Sequence, residues 1–517
     1  MAFGVKSLGE LGLHAQGGRE AQITGLSVDS RLTKAGHLFA ALPGSHVHGA
    51  EFIPYALRMN AAAILTDRAG AQIAAAALKD YPDVALVIAE DPRQTLAYAA
   101  ALFFGSQPEH MVAVTGTNGK TSVASFTRQI WQLMGLEAVN IGTTGVEGAY
   151  TAPSNHTTPE PITLHRLLAD MATAGVTHAA MEASSHGLAQ RRLDGVRLEA
   201  AAFTNFTQDH LDYHATFDEY FNAKAGLFAR VLGDDGTAVI NLDDPKGADI
   251  CEIATARGQR VIGVGKSDGC DLQILGQRFD ATGQDLRFAW RRVAKMVRLP
   301  LIGGFQAANI MAACGLAIGA GAEPDAVFAT LPHLTTVRGR MQLAATRDNG
   351  AAVFVDYAHT PDAVATALQA LRPHVEANVQ TGEPFKFLPQ PLLATDRVRY
   401  VGEPVAVDPT ILINLTKDNF IPIVAPVALD RRPQLGHGQR RAFKGLEEAA
   451  VLEQEHTGHI EAAVAGPRLA CQSIEIADTG RGGGNAFIGQ AANPFSIARV
   501  AACVFQHHSS PRQRAGI

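Results

Sequence analysis

A glycine-rich segment at residues 113–126, AVTGTNGKTSVASF, constrains the fold of this chain more strongly than any other feature of the sequence. The apolar residues VAVT precede the glycines, and apolar side chains then recur on one helical face, at Val123, Phe126, Ile130 and Met134. A strand, a glycine loop and a helix in this order place backbone N–H groups and a helix N-terminus around a phosphate. In such a loop Lys120 reaches the outer phosphates and Thr121 reaches a magnesium ion. Val114 stands where the general P-loop pattern has a glycine, so the segment is a variant phosphate-binding loop.

The alternation of apolar runs with helical patterns from Met111 to about Leu371 predicts an α/β fold with a central parallel sheet. The runs MVAVT, THAAMEA, AAFTNF, TAVIN and AAVFVD each end at or lead to a polar residue. This is typical of buried parallel strands whose carboxyl ends carry the site. Residues 303–321 predict a buried helix rather than a membrane span, because glycines interrupt them. Nearer the N-terminus, AAAILTD and VALVIAED predict strands and AGAQIAAAALKD predicts a helix.

The composition favours a globular protein without a general affinity for nucleic acid. The 517-residue chain is 47% hydrophobic and 18% charged, with a net charge of −6 and a pI near 6.3. Such a chain has no general basic surface for nucleic acid or anionic lipid. The N-terminus lacks an apolar core of signal-peptide length, and no segment holds about 18 uninterrupted apolar residues, so we expect a cytoplasmic protein. The five cysteines are far apart and are expected to be isolated thiols.

Two further segments place ionisable side chains just beyond predicted strands. MEASSHGLAQRRLDG, at residues 181–195, supplies a carboxylate, two serines, a histidine and two arginines. NFTQDHLDYHATFDEYFNAKAGLF, at residues 205–228, supplies His210 and Lys224. A carboxylate, an imidazole and the threonine of a phosphate loop could together hold magnesium. Taken singly, a serine or histidine here would more often be structural, because polar residues commonly cap helices.

The order of these motifs resembles the Mur ligase family of peptidoglycan synthesis. The resemblance rests on TGTNGKTS, HTTPE, MEASSHGL, DHLDYH, NAKAGLF, GGFQAANIMAA, RGRMQ and VDYAHTPDAV, with SVDSR and GHLFAALPGSHVHGAEFI nearer the N-terminus. It covers about residues 20–375 and is strongest for the members that add the third amino acid of the peptide. It implies a UDP-binding domain at residues 1–104, a central ATP-binding ligase domain at 105–335 and a C-terminal nucleotide-fold domain at 336–517. The length of the chain also predicts about three domains.

The resemblance implies roles for individual residues wherever a motif matches. The nucleotide-binding residues would be Gly116, Thr117, Asn118, Gly119, Lys120, Thr121, Asn309, Arg340, Asp356 and His359. The residues that contact the UDP-muramoyl-dipeptide would be Ser30, Thr157, Thr158, Ser184, Gln190 and Arg192. The catalytic residues would be Lys120, Lys224, Glu182 and His210, and the ligands of Mg²⁺ would be Thr121, Glu182, His210 and a carbamylated Lys224.

The implied activity is ATP-dependent formation of an amide bond. ATP would convert the D-glutamate carboxylate of UDP-N-acetylmuramoyl-L-alanyl-D-glutamate to an acyl phosphate, and the amine of meso-diaminopimelate or L-lysine would displace phosphate. Phosphoryl transfer needs in-line positioning and cations that offset the developing charge, which Lys120 and the metal would supply. The expected ligands are therefore ATP, Mg²⁺, the UDP-muramoyl-dipeptide and a free amino acid. We expect a monomer that binds neither nucleic acid nor a membrane.

The sequence departs from the family pattern after ALQALRPHV, at residues 367–375. The family would continue into a strand with a glycine- and aspartate-rich loop and then a DNPR motif that selects diaminopimelate, and this sequence has neither. Two alternatives therefore stay open. One is a protein that binds nucleotide and UDP-sugar with impaired or no ligation. The other is a related ligase, such as one that adds D-alanyl-D-alanine or a folylpolyglutamate synthetase, against which HTTPE and SSHGL argue.

Overall fold

The computed structural model describes residues 4–44, 46–154, 156–207, 213–280, 282–346, 352–358, 361–374, 411–414, 423–424 and 500–505. The chain divides into two compact units. The first comprises Met1–Phe279 and Gly283–Val337, and the second comprises Asp280–Thr282 and Arg338–Ile517. The domain boundaries expected after residues 104 and 335 stay predictions.

The N-terminal part of the first unit contains a four-stranded parallel sheet. The elements of this part are β1 (Lys6–Ser7), β2 (Gln22–Ile23), β3 (Gly25–Ser27), β4 (His37–Ala40), α1 (Ile53–Arg58), β5 (Ala63–Thr66), α2 (Arg68–Ile73), α3 (Ala75–Leu78), β6 (Ala85–Ile88) and α4 (Pro92–Phe104). Successive side chains of a strand point to opposite faces, so Leu38 enters one apolar cluster and Phe39 enters another. The two predicted strands are confirmed as β5 and β6, and the predicted helix at residues 69–80 divides at Ala74 into α2 and α3.

The rest of the first unit is built on one ten-stranded sheet. Its elements are β7 (His110–Thr115), α5 (Lys120–Leu133), β8 (Ala138–Gly142), β9 (Gly145–Gly148), α6 (Pro161–Thr173), β10 (His178–Glu182), α7 (Ser185–Ala189), β11 (Ala200–Phe203), α8 (Phe217–Gly226), a π-helix (Leu227–Val231), β12 (Thr237–Asn241), α9 (Gly247–Ala256), β13 (Arg260–Gly265), β14 (Leu272–Asp280), β15 (Gly283–Trp290), β16 (Val293–Leu299), α10 (Gln306–Gly319) and α11 (Pro324–Thr330). The strand order is β16-β15-β14-β13-β12-β11-β7-β10-β8-β9. The β8–β9 and β15–β16 pairs are antiparallel.

Parallel pairing around β7 positions the site. Strand β7 pairs with β10 on one side and with β11 on the other, both in parallel. Parallel strands bring their carboxyl ends to one edge of a sheet, so Thr115, Glu182 and Phe203 end neighbouring strands at the same edge. Helices α5 and α10 pack together on one face of the sheet. The predicted parallel strands at residues 111–115, 178–182, 200–203 and 237–241 and the buried helix within residues 303–321 are confirmed.

The second unit contains a five-stranded sheet whose described pairings are all antiparallel. Its elements are β17 (Gln342–Thr346), β18 (Ala352–Asp356), α12 (Pro361–Leu371), β19 (Ile411–Asn414), β20 (Ile423–Val424) and β21 (Val500–Phe505), in the strand order β17-β18-β21-β19-β20. The strand predicted at AAVFVD is confirmed, but its predicted parallel direction is wrong. Only residues 347–351 separate β17 from β18, whereas parallel strands need a crossover of about a dozen or more residues.

Two further expectations concern cysteines and membrane segments. The cysteines whose side chains are described, Cys251, Cys270 and Cys314, are free thiols, as predicted. Burial raises the pKa of Cys270 to about 11, which keeps this thiol protonated and a poor nucleophile at neutral pH. Over the residues that the structure describes, no helix has the length and apolar character needed to cross a membrane.

Candidate active site

The glycine-rich loop between β7 and α5 has a backbone that favours glycine at two positions. Gly116 has φ of 143° and Gly119, just before α5, has φ of 89°. A Cβ atom at Gly119 would lie 2.5 Å from Asn309 Oδ1, and one at Gly116 would collide with Thr204 Oγ1. The loop leads into the first turn of α5, where backbone N–H groups and the helix dipole favour an anion. This geometry fits the predicted phosphate-binding loop.

Residues after β11 hold the glycine-rich loop in place. Asn205 accepts a hydrogen bond from Thr117 N through its carbonyl at 2.9 Å and from Asn118 N through Oδ1 at 2.8 Å. Thr204 Oγ1 donates to Asn118 O at 2.6 Å, and Thr117 Oγ1 lies 3.1 Å from the Tyr220 hydroxyl. Sequence reasoning misses Thr204, Asn205 and Tyr220. Thr204 and Asn205 follow β11, and only the pairing of β11 with β7 brings them to the loop.

Two lysine side chains meet at one backbone carbonyl of the loop. Lys120 Nζ donates hydrogen bonds to Gly116 O at 2.9 Å and to Thr117 O at 2.8 Å. Lys224 Nζ, which belongs to α8, donates to Gly116 O at 2.7 Å and lies 4.4 Å from the centroid of the Tyr220 ring. Lys224 is only 1% exposed. The structure thus brings Lys224 to the loop across 108 residues of sequence, and its role as a carbamylated metal ligand stays a prediction.

The Glu182 carboxylate is buried at the end of β10 and is oriented by the residues after β8. Glu182 is 2% exposed, and its Oε1 accepts a hydrogen bond from Thr143 N at 2.8 Å. Thr143 Oγ1 lies 3.3 Å from Glu182 Oε2 and 3.0 Å from Thr157 Oγ1. A Cβ atom at Gly142 would collide with Glu182 Oε1, so a glycine at this position makes room for the carboxylate. Sequence reasoning misses Gly142, the last residue of β8, and Thr143, which follows it; β8 pairs with β10.

Four predicted substrate-binding residues form a continuous hydrogen-bonded chain: Ser184, Thr158, Arg192 and Gln190. Thr158 Oγ1 lies 3.1 Å from Ser184 Oγ, and Arg192 Nη1 donates to Thr158 O at 2.7 Å. Arg192 Nη2 donates to Gln190 Oε1 at 2.8 Å, and Gln190 Nε2 donates to the Tyr213 hydroxyl at 2.9 Å. Burial lowers the pKa of Arg192 from its ordinary value. The predicted residues therefore lie together and orient one another.

Ser30 and Asn309 occupy different parts of the first unit. Ser30 is 8% exposed and begins a 3₁₀ turn after β3, in the part that contains the four-stranded sheet. The Asp29 side chain caps this turn by accepting a hydrogen bond from Arg31 N at 2.9 Å. Asn309 is also 8% exposed, lies on α10 beside Gly119, and donates from Nδ2 to Gln306 Oε1 at 3.0 Å. Asn309 is thus brought to the phosphate loop, whereas Ser30 belongs to the N-terminal sheet.

Arg340 and Asp356, two predicted nucleotide-binding residues, lie in the second unit. Asp356 Oδ2 accepts a hydrogen bond from Met341 N at 2.8 Å, and Oδ1 accepts one from Ala358 N at 2.9 Å. The Arg340 guanidinium lies 4.8 Å from the centroid of the Tyr357 ring. Burial raises the pKa of Asp356, while Arg340 and the two backbone N–H groups act in the opposite direction. Arg340 and Asp356 therefore share one environment within the second unit.

The described residues offer oxygen atoms for Mg²⁺ but no cluster of metal ligands. Within the ranges that the structure describes, no group of three or more His, Cys, Asp or Glu side chains could hold a metal ion. His210, a predicted Mg²⁺ ligand, and His359, a predicted nucleotide contact, lie outside the described residues. Glu182 and Thr121 are buried and supply oxygen atoms, which Mg²⁺ prefers as ligands. The fit to Mg²⁺ rests on these two side chains.

Comparison with known proteins decides the family. Residues 22–104 match the catalytic domain of the Mur ligase family, residues 114–317 match the Mur ligase middle domain, and residues 339–381 match the Mur ligase glutamate ligase domain. The UDP-N-acetylmuramoyl-L-alanyl-D-glutamate–2,6-diaminopimelate ligase of Bradyrhizobium diazoefficiens is 46% identical over 359 residues, which is 69% of this chain and 72% of that protein. The chain belongs to the Mur ligase family.

Other Mur ligases give the same result. A relative from Brucella melitensis with the same name is 46% identical over 361 residues, which is 70% of this chain and 72% of that protein. A solved structure of a UDP-N-acetylmuramoyl-L-alanyl-D-glutamate–2,6-diaminopimelate ligase is 29% identical, with a TM-score of 0.59, and covers 69% of this chain and 71% of that one. The predicted family, its α/β architecture and the identification of the chain as a ligase are confirmed. The roles of individual residues stay predictions.

Proposed function

We propose that this Mur ligase uses ATP to add 2,6-diaminopimelate, as the third amino acid, to UDP-N-acetylmuramoyl-L-alanyl-D-glutamate in peptidoglycan synthesis. The observation that carries the proposal is one site that combines a glycine-rich loop, two lysines at Gly116 O and a buried Glu182. Relatives that are 46% identical to this chain are named for this reaction. Their names specify diaminopimelate, which favours this amino acid over L-lysine.

The glycine-rich loop supports a role in phosphoryl transfer. ATP supplies the phosphoryl group that converts the D-glutamate carboxylate to an acyl phosphate, which an amine can then attack. The first turn of α5 offers N–H groups to the phosphates, and Lys120 offers a point charge beside them. These groups are held in place before the reaction, so their charge stabilises the developing anion without reorganisation.

The position of Lys224 supports a carbamate in place of an ammonium group. Lys224 and Lys120 donate to the same carbonyl oxygen, and two ammonium groups at such a distance repel each other. Carbamylation of Lys224 would turn one of them into an anion, which attracts Lys120. Glu182, Thr121 and this carbamate would then hold Mg²⁺, which offsets negative charge on the phosphates.

The chain of Ser184, Thr158, Arg192 and Gln190 supports binding of the UDP-muramoyl-dipeptide. The Arg192 guanidinium is held by Thr158 O and Gln190 Oε1, so it presents a positive charge in a fixed direction. Glu182 is the last residue of β10, and Ser184 follows it two positions later. A dipeptide bound to Ser184 and Arg192 would therefore place its carboxylate near the group that holds the metal.

A second candidate function is the binding of nucleotide and UDP-sugar with impaired or no ligation. The observation that favours it is in the C-terminal region, where the glutamate ligase domain matches residues 339–381 and the sequence lacks the DNPR motif. An amine that is loosely held loses the orientation that can supply roughly 7–11 kcal/mol of barrier reduction. In this candidate function the chain binds the nucleotide and the UDP-sugar but forms the amide bond slowly or not at all.

One experiment separates the candidates. Phosphate release and peptide product are measured with the full chain, ATP, Mg²⁺ and UDP-N-acetylmuramoyl-L-alanyl-D-glutamate, with diaminopimelate, L-lysine or D-alanyl-D-alanine added separately. We expect release and product with diaminopimelate alone among the three. Calorimetric binding of ATP and the UDP-muramoyl-dipeptide without product would instead support the second candidate. Product with D-alanyl-D-alanine alone would contradict both.

A further inference from the structure

A buried carboxylate lies two residues beyond Arg192, where three elements meet. Asp194 is 2% exposed, and its Oδ1 forms an ion pair with Arg230 Nη1. Asp194 Oδ2 accepts a hydrogen bond from Gln94 Nε2, on α4, at 3.1 Å. The carbonyl oxygen of Asp194 lies 3.1 Å from His165 Nε2, on α6. This residue therefore contacts both the N-terminal part and the part that carries the phosphate loop.

Arg230 connects this junction to the helix that carries Lys224. It lies in the π-helix Leu227–Val231, which directly continues α8. Its Nη2 donates to Leu188 O, on α7, at 3.0 Å. Its guanidinium thus joins α8 to the segment that begins at Ser184 and contains Gln190 and Arg192.

Arg230 stays charged at neutral pH although its side chain is only 20% exposed. Burial lowers its pKa to about 10, with a further lowering from Arg191, while Tyr98 and Asp91 raise it. A second ion pair reinforces the same junction, because Arg191 Nε donates to Asp91 Oδ2 at 2.8 Å. Arg191 has φ of 60°, a left-handed conformation that non-glycine residues seldom adopt. The segment between α7 and Asp194 is therefore held by two ion pairs, Arg191 with Asp91 and Asp194 with Arg230.

We propose that Asp194 and Arg230 are positioning residues that set the distance between the Lys224 helix and the substrate segment at Gln190 and Arg192. Neither residue is proposed to touch substrate. The pair acts by joining α8 to residues 188–194, while Gln94 joins the same residues to α4. The inference rests on the proposed function, because it assigns the two joined segments to metal and dipeptide.

A contribution to stability does not by itself explain the buried ion pair between Asp194 and Arg230. A buried ion pair can often be replaced by apolar residues without loss of stability, whereas removal of one partner leaves a costly buried charge. Geometry gives a stronger reason, because a displacement of roughly 1 Å within a reaction centre can lower the rate about 100-fold. The pair is therefore expected to act on catalysis beyond its effect on unfolding.

Arg257, which directly follows α9, is a matched control because it contacts the same π-helix. Arg257 Nη1 donates to Phe228 O and Leu232 O, both at 2.8 Å, and Arg257 Nη2 pairs with Asp234. Arg230→Lys and Arg257→Lys each replace the planar guanidinium of a partly buried arginine that binds a backbone carbonyl and a carboxylate. Arg230 contacts the substrate segment through Leu188 O, whereas the described contacts of Arg257 are with Phe228, Leu232 and Asp234. Thermal unfolding, kcat, KM for the UDP-muramoyl-dipeptide and nucleotide affinity are measured for both.

We expect Arg230→Lys to lower kcat/KM for the UDP-muramoyl-dipeptide at least tenfold while nucleotide affinity changes less than about threefold. Arg257→Lys should keep kcat/KM within about threefold of the wild-type value, even if its melting temperature falls as much as that of Arg230→Lys. Equal kinetics in the two variants would overturn the proposal. If Arg230→Lys does not fold, Asp194→Asn replaces it, because an amide keeps the shape and one acceptor oxygen.

The experiment also distinguishes a failure of the proposed function. A wild-type chain that makes no product contradicts that function, but equilibrium binding of the UDP-muramoyl-dipeptide still tests the positioning role. Arg230→Lys should then weaken this binding at least tenfold and Arg257→Lys should not. Equal binding by both variants would overturn the proposal in that case.

Discussion

A methyl group added at Gly142 tests whether the Glu182 carboxylate is needed where the structure places it. In Gly142→Ala the new Cβ would lie 2.6 Å from Glu182 Cδ and 2.7 Å from Cγ. Because ordinary contacts begin at 3.4 Å and Glu182 Oε1 lies even closer than Cδ, the carboxylate must move by at least roughly 0.8 Å or the strand must yield. Gly142 is buried at the end of β8, which leaves the methyl group no path to solvent.

The magnitude follows from two separate costs. Overpacking a buried site typically destabilises a protein by about 1–3 kcal/mol. The moved carboxylate also weakens its hydrogen bond from Thr143 N, now 2.8 Å long, and such bonds to charged groups contribute about 1.5–3 kcal/mol. We therefore expect the free energy of unfolding to fall by about 2–4 kcal/mol, less than a full sum because each adjustment relieves the other. We expect kcat to fall about 100-fold, as for a group misplaced by nearly 1 Å.

Denaturant unfolding and product formation with diaminopimelate measure the two effects. The control is Gly276→Ala on β14, where an added Cβ has no atom within 4 Å. This variant should keep its free energy of unfolding within about 0.5 kcal/mol of the wild-type value and its rate within about twofold. A Gly142→Ala protein that is fully active would refute the placement of Glu182 in the reaction centre. Loss of rate with unchanged metal and nucleotide binding would refute its role as a metal ligand.

Three further predictions concern single ionisable residues. Lys120→Ala should abolish ATP binding or turnover, because the loop loses its point charge. The control Lys246→Ala, which removes a half-buried lysine paired with Asp249, should not, and calorimetry with ATP and Mg²⁺ measures both. Lys224→Ala should be inactive but partly rescued by short carboxylates in solution if a carbamate is required, because the missing group is then an anion. Near-normal turnover of this variant would exclude the carbamate role of the buried Lys224. Burial lowers the pKa of His165 to about 4, below its unfolded value, so the unfolded chain binds the extra proton and stability should fall as the pH drops from about 6.5 towards 4. His165→Gln should reduce the pH dependence of the free energy of unfolding by about 1 kcal/mol per pH unit, as measured by denaturant unfolding. An unchanged pH dependence would contradict the lowered pKa of His165.

The phosphate loop and its flanking elements could be predicted because their information is local. A strand pattern, two glycines and an amphipathic helix stand within some 20 residues, and each restricts the backbone by itself. The direction of β18 could not be predicted in this way. An apolar run that ends at Asp356 has the same pattern in either direction, and the neighbouring strand decides between them.

The site shows the same division. Lys120, Glu182 and Lys224 stand in motifs that resemble the family pattern, so the sequence marks them as candidates, and their roles stay predictions. Thr143, Asn205 and Asp194 could not, because each acts through a partner that lies far along the chain. Thr143 and Glu182 are 39 residues apart, Asn205 and Asn118 are 87 apart, and Asp194 and Gln94 are 100 apart.

The sequence by itself determined the chemical groups of this protein and the local backbone that carries them. Gly116 and Gly119 allow the loop, and the helical spacing after Lys120 buries one face of α5. Only the tertiary structure decided which groups meet. Parallel pairing of β7 with β10 and β11 brought Glu182 and Asn205 to the edge that carries the loop, and packing of α8 brought Lys224 to Gly116 O. The reason is physical: local patterns restrict φ and ψ, whereas side-chain partners depend on which buried surfaces pack against each other.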